Sequence, residues 1–313
     1  MPDAIATRDA YGEALLEVGE RHPEMVVLDA DLAGSTRTGL FGDKWPDRFF
    51  DLGISEQDMI VTAAGLAAAG KLVFASSFAI FGSRAWEQIR NTVARGNYRM
   101  VLGFTHAGTS VGEDGSSAQA TEDIAIMRAI PRMKVVVPAD GNETKAAIRY
   151  LADTPDLKGP TYVRMGRAKM PIVLPEDHAF AFGESQELRA GNDVALIACG
   201  VMLDRAFKAA DLLAADGIEA RVINMASVKP IDEAAIIRAA KETKGIVTAE
   251  EHSVIGGLGS AVAEVVCENA PAPVRRVGLL DTFGETGPPD ALFEKYGLTA
   301  EKIVEHAKAI VGG

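Results

Sequence analysis

A chain of 313 residues with a formal net charge of −12 is long enough for two domains, and its negative balance makes nucleic acid and anionic membrane surfaces poor partners. Only two cysteines occur, Cys199 and Cys267, both in runs that read as buried, which points to a reduced cytoplasmic protein and away from a disulfide scaffold. No apolar run reaches the roughly 18 residues of a membrane span, and Met1-Pro2-Asp3-Ala4 lacks the basic and apolar stretches of a signal peptide.

Short β-branched runs alternate with helical patterns along the chain, so the expected class is α/β, with two parallel-sheet-type domains covered by helices. In chain order the first half predicts a helix over Arg8–Arg21, a strand over Met25–Asp31, a helix over Ser55–Ala69 and a strand over Leu72–Ser76. There follow a helix over Ile80–Arg95, a strand over Met100–His106, a helix over Thr121–Ala129, a strand over Lys134–Pro138, a helix over Asn142–Ala152 and a strand over Thr161–Arg164. Periodicity lapses through Lys169–Asp177, which carries Pro171 and Pro175, and this sets the expected division: domain 1–168, linker 169–185, domain 186–313. The second half predicts strands over Asp193–Cys199, Ala220–Asn224, Gly245–Ala249 and Arg276–Leu280, with helices over Leu203–Asp216 and Asp232–Lys241.

Function in parallel sheets gathers at the carboxyl ends of strands. Those ends carry Asp29-Ala30-Asp31, the Ser77–Arg84 segment, Thr105-His106 with the glycine-rich run Ala107–Gly115, and Arg164-Met165-Gly166-Arg167. Glu56 stands in the first turn of a helix rich in Ala and Gly, with Ser55 as N-cap and Asp58 completing a capping-box-like start. By itself Glu56 reads either as a favourable charge at the helix dipole or as a proton relay at a close-packed boundary. Phe78, Phe81 and Arg84 share one helical face and read either as a core stripe or as a slot for a ring. His252, in the glycine-rich turn Glu250–Gly259, reads as structural, while His22, His178 and His306 read as surface or turn positions without a metal-ligand pattern.

Taken in order, Gly53-Ile54-Ser55-Glu56-Gln57, the Phe78/Phe81/Arg84 triplet, Thr105-His106 with Gly112-Glu113-Asp114-Gly115, Ser227–Asp232 and Glu250–Gly259 resemble the transketolase family of thiamine-diphosphate enzymes over nearly the whole chain. The chain is most similar to the carboxy-terminal subunit of a split transketolase, a pyrimidine-binding domain followed by a transketolase C-terminal domain. The resemblance implies that Glu56 is catalytic: it hydrogen-bonds the aminopyrimidine ring of thiamine diphosphate and favours its imino tautomer. For that role desolvation must outweigh the helix dipole at Glu56. It further implies that Asp31, Glu56, Phe78, Phe81 and Arg84 bind the cofactor. Arg8, Ser35, His106 and Arg164 would grip a substrate phosphate, and Asp114 would read a hydroxyl beside the donor carbonyl.

Two departures stand out. Arg84 occupies a position where transketolases often have an aromatic residue, and there the chain resembles deoxyxylulose-phosphate synthases more. Ala118 replaces a histidine that normally contacts the ketol hydroxyls, which implies an altered donor or acceptor. No Gly-Asp-Gly followed by a downstream Asn occurs, so the resemblance implies that Mg2+ (or a similar divalent ion) and the diphosphate are held by an N-terminal subunit, in a heterotetramer of two plus two. The small-residue face Ala63–Gly70 is then a candidate for close packing between subunits. The leading function is transfer of a two-carbon ketol unit between phosphosugars. Its alternatives are a deoxyxylulose-phosphate-synthase-like or 2-oxo-acid dehydrogenase beta-like subunit and, from another class, a silent partner subunit.

Overall fold

The computed structural model describes residues 4–312; Met1–Asp3, read above for a leader, lie outside the described residues. A seven-stranded sheet runs in the order Ser227–Lys229, Lys134–Val136, Pro160–Arg164, Met100–Thr105, Leu72–Phe78, Met25–Asp29 and Phe49–Asp51. All of its neighbours are parallel except the edge strand Ser227–Lys229, which the second half of the chain contributes antiparallel to Lys134–Val136. A five-stranded sheet follows in the order Val274–Leu279, Ile246–Ser253, Val194–Ala198, Ala220–Asn224 and Gln186–Arg189, with only the last strand antiparallel. The central strands are buried on both faces, as their near-continuous apolar runs require. One apolar cluster runs from Val26 and Leu102 in the first sheet to Ile197, Ile223 and Val262 in the second half, so the two sheets share a core.

Several expected elements shift for identifiable reasons. Two strands end early because Asp31 and His106 take left-handed backbone, φ 62° and 55°, which a ladder does not admit. The helix expected over Ile80–Arg95 is broken into Ala79–Gly82, a 3-10 turn at Ser83–Ala85, Trp86–Gln88 and a π-turn at Ile89–Ala94. There the Gln57 Nε2 donates to the Arg84 carbonyl at 3.1 Å, taking an acceptor from the ladder. The strand expected to stop at Ala249 continues to Ser253, because the charged run Glu250-Glu251-His252 is buried and bonded within the protein.

Three smaller readings are corrected. Ser55 precedes the helix Glu56–Ala68 but its side chain caps nothing. Cys267 is exposed, since it falls on the outer face of the helix Leu258–Asn269; Cys199 is buried as expected. The His178 side chain is buried on the Glu143 carboxylate, 3.0 Å away. The stretch after Arg167 is anchored to the first sheet's domain: Lys169–Pro171 pairs with Ala4–Ala6, and Asp140 accepts from Val173 and Leu174 N–H, each at 2.8 Å. Ala63 and Ala64 pack into the core, while Gly65 faces open space. No helix among the described residues is long and apolar enough to cross a membrane.

Candidate active site

Strands Pro160–Arg164, Met100–Thr105, Leu72–Phe78 and Met25–Asp29 are neighbours in the sheet, so their carboxyl ends lie side by side. At the Leu72–Phe78 end, Phe78 stacks on Phe81 (centroids 5.4 Å apart, planes 13° apart) and on His106 (3.6 Å, 16°). Phe81 reaches that position because Ala79–Gly82 turns immediately after the strand, and Gly82 there leaves room for the Phe104 ring. The His106 ring is held at both nitrogens, Nδ1 to Thr105 Oγ1 at 2.8 Å and Nε2 to Arg8 Nη1 at 3.1 Å. Since the arginine donates to Nε2, His106 is neutral with its proton on Nδ1, facing Thr105. Arg8 also donates to the Ser35 carbonyl at 3.1 Å, which brings Ser35 to the same corner through its backbone.

Electrostatics in this corner are positive. Burial and the neighbouring Arg37 and Arg167 lower the Arg8 pKa, although Asp9 works the other way, and the Arg8 Nε is buried without a hydrogen-bond partner. Burial, then Arg8 and Arg167, push the His106 pKa down to about 3 from 6.5. Between those values the unfolded chain binds the proton and the folded chain does not, so this histidine's contribution to stability is lost as pH falls from 6.5 toward 3. In an NMR titration the His106 imidazole is expected to stay neutral well below pH 6. Arg8→Ala, which removes one of the two cations facing the ring, is expected to raise that midpoint; an unchanged midpoint would show that burial alone sets it.

Glu56 stands at the start of its helix, with its side chain 5% exposed. Among the described residues nothing hydrogen-bonds its carboxylate, and its ion partner is Arg84, with Nε 3.6 Å from Oε2 and the side chain 70% exposed. Asp31 donates its backbone N–H to Asp51 Oδ1 at 2.9 Å, and its own side chain lies at the exposed turn. Asp114 is exposed in the turn Thr109–Asp114, with Oδ2 4.0 Å from Arg167 Nε. Ala118 is buried behind that turn, its N–H donating to the Gly115 carbonyl at 3.0 Å.

Arg164 stands apart from this cluster. Residues 162 and 164 point to one face of their strand, and both side chains bond the buried Asp123 carboxylate, the arginine through Nε at 2.8 Å. The Arg164 Nη2 is taken up by the Glu251 carbonyl at 2.9 Å and the Ala120 carbonyl at 3.4 Å. With its side chain 6% exposed and its Nε and Nη2 bonded to Asp123, Ala120 and Glu251, Arg164 ties the two halves together. Arg167 occupies the place expected for it, just past the strand. Thr7 Oγ1 accepts the Gly166 N–H at 2.7 Å, which docks the Thr7-Arg8 corner beside Gly166-Arg167, and the half-exposed Arg167 donates to the Val111 carbonyl at 3.0 Å and to Glu113 at 2.8 Å. Arg167 lies beyond the end of the strand Pro160–Arg164, where groups at the carboxyl edge of such sheets gather.

Comparison with known proteins decides the family. The description "Transketolase, pyrimidine binding domain" matches residues 3–172, and "Transketolase, C-terminal domain" matches residues 183–303. The chain belongs to the transketolase family. It superposes with a TM-score of 0.91 on a solved split-gene transketolase, an inactive beta4 tetramer, at 48% identity over 98% of this chain and 99% of that one. It is 42% identical to a 6-deoxy-6-sulfo-D-fructose transketolase subunit of Clostridium sp. (strain MSTE9), over 97% of this chain and 94% of the relative. To one subunit of an apulose-4-phosphate transketolase of Phocaeicola vulgatus it is 37% identical, over 98% of each. This transketolase chain therefore matches relatives of the split type over nearly their whole length, and its function is of the transketolase type, in the thiamine-diphosphate class.

Proposed function

We propose that this subunit supplies the aminopyrimidine side of the cofactor site and the anion side of the substrate site, in an enzyme that moves a two-carbon ketol unit between phosphosugars. The observation that carries this reading is the unbroken row Phe81, Phe78, His106 and Arg8, an apolar ring surface that passes directly into a cationic corner. The residues fit thiamine diphosphate: Phe78 and Phe81 offer faces to an aromatic ring, and Glu56 is a buried carboxyl whose oxygens are free to share a proton with a ring nitrogen. When bound, the cofactor supplies the nucleophilic carbon and the electron sink. Glu56 holds the proton at the ring, and Arg84 covers its outer oxygen from the solvent side.

At the other end Arg8 and Arg167 present guanidinium forks suited to a phosphate dianion, and neutral His106 orients Arg8 through Nε2. Ser35 and Asp114 belong to the same substrate wall, and Asp31 to the cofactor side. Ala118 in place of histidine removes one polar contact from that wall, which suits a changed donor or acceptor. The relatives named for a 6-deoxy-6-sulfo-D-fructose transketolase and for an apulose-4-phosphate transketolase support this reading.

We assign the divalent ion and the diphosphate grip to an N-terminal partner subunit, in a two-plus-two assembly located in the cytoplasm, and place the domain boundary within 169–185. The partner requirement is supported by the inactive tetramer formed by a split-gene relative. Mixing this chain with its N-terminal subunit, thiamine diphosphate, Mg2+, xylulose 5-phosphate and an aldose phosphate is expected to give ketol transfer, and the chain alone none. Activity of the lone chain would remove the partner requirement, and release of carbon dioxide from pyruvate would move the assignment to the synthase or dehydrogenase readings.

A further inference from the structure

The turn Thr109–Asp114 carries both groups that hold Arg167, the Val111 carbonyl and the Glu113 carboxylate, and from within the first half the Gln119 side chain reaches its Thr109 and Gly112 carbonyls at 3.3 and 3.5 Å. A further anchor comes from the second half of the chain. Glu251, in the strand Ile246–Ser253, accepts the Ser110 N–H at 2.6 Å and the Thr109 hydroxyl at 3.4 Å. The carboxylate lies so close to Gly108, φ 81°, that any Cβ there would collide with it. Glu251 is itself placed by Arg164, whose Nη2 donates to its carbonyl at 2.9 Å. The Gln119 Nε2 also bonds the Glu285 carbonyl at 2.9 Å.

We propose that Glu251 is a positioning residue for anion binding: from the C-terminal half it fixes the Ser110 N–H, and so sets the Val111 carbonyl and Glu113 that aim Arg167 into the substrate corner. The inference rests on the reading of that corner as a phosphate site, and it gives the C-terminal half a part in substrate recognition. Burial raises the Glu251 pKa, while Arg164 and the Ser110 bond oppose the shift. Loss of an anchoring hydrogen bond to a charged group corresponds to about tenfold or more in affinity.

The test uses the assembled two-subunit enzyme with two ketol donors, xylulose 5-phosphate and the phosphate-free L-erythrulose. Glu251→Ala is expected to raise KM for the phosphorylated donor about tenfold, with kcat and the erythrulose KM within about twofold. Glu251→Gln keeps a carbonyl oxygen facing the Ser110 N–H and is expected to restore most of the loss. Equal effects on both donors, no effect on either, or a Gln variant as impaired as the Ala variant would each overturn the proposal. Should Glu251→Ala fail to fold, amide exchange of the unsubstituted chain decides. The Ser110 N–H is expected to be as protected as the strand Met100–Thr105, and rapid exchange there would refute the brace. An unsubstituted enzyme that does not prefer the phosphorylated donor would remove the phosphosugar reading, leaving the brace itself to the exchange measurement.

Discussion

Glu56→Gln in the assembled enzyme is expected to lower kcat by about 10²–10⁴-fold, the range for removing a positioned proton-transfer group, while the protein melts close to its usual temperature. The separation of the two effects follows from the site. Glu56 is buried, but no described residue hydrogen-bonds its carboxylate, so an amide of the same shape leaves no neighbouring donor without its acceptor. Its contact with Arg84 is a long one to a largely exposed side chain, an ion pair worth about 0–1 kcal/mol. A carboxyl buried without a hydrogen-bond partner is a liability for folding, and the proposed function accounts for its place here. Steady-state kinetics beside a thermal melt would check the prediction. Full activity in the Gln variant would refute the catalytic assignment.

Arg8→Ala and Arg167→Ala are each expected to cut kcat/KM for a phosphorylated donor by roughly 30–1,000-fold, the equivalent of the 2–4 kcal/mol lost when one partner of a close charge pair is truncated. Neither should alter turnover of a phosphate-free donor by more than a few fold, because the arginines lie at the cationic end of the Phe81–Phe78–His106–Arg8 row. Arg164→Ala should behave differently. It leaves the Asp123 carboxylate and Tyr162 hydroxyl buried beside a vacated space, a change costing about 3–5 kcal/mol of stability, and lowers the melting temperature without selecting between donors. Donor-resolved kinetics and calorimetry on the three variants therefore separate Arg167 from Arg164, only three positions apart in the sequence, into a binding residue and a strut.

That pair also marks where sequence reading ended. Both arginines follow the same β-branched run, and the pattern names the run and its direction. Which side chain turns inward depends on where Asp123 and Glu251 arrive, one from the helix Asp123–Arg128 and the other from the second sheet. A similar limit holds for the edge strand Ser227–Lys229, too short for a periodic signal and defined only by its pairing with Lys134–Val136. The break in the expected Ile80–Arg95 helix depends on Gln57, far away in the chain.

The sequence by itself determined the alternating α/β plan, the helix entrance that carries Glu56, the Phe78/Phe81 pair and the glycine-rich turn after His106, because each is written in local periodicity, turn chemistry or a contiguous motif. Only the tertiary structure decided that His106 stacks on Phe78 and is neutral under Arg8, that Arg164 is bonded to Asp123 and Glu251 while Arg167 is held by Val111 and Glu113, and that Glu251 anchors the turn carrying those two groups. The physical reason is that burial, ion pairing and ring stacking are properties of neighbours brought together across the sheets, and no local pattern specifies them.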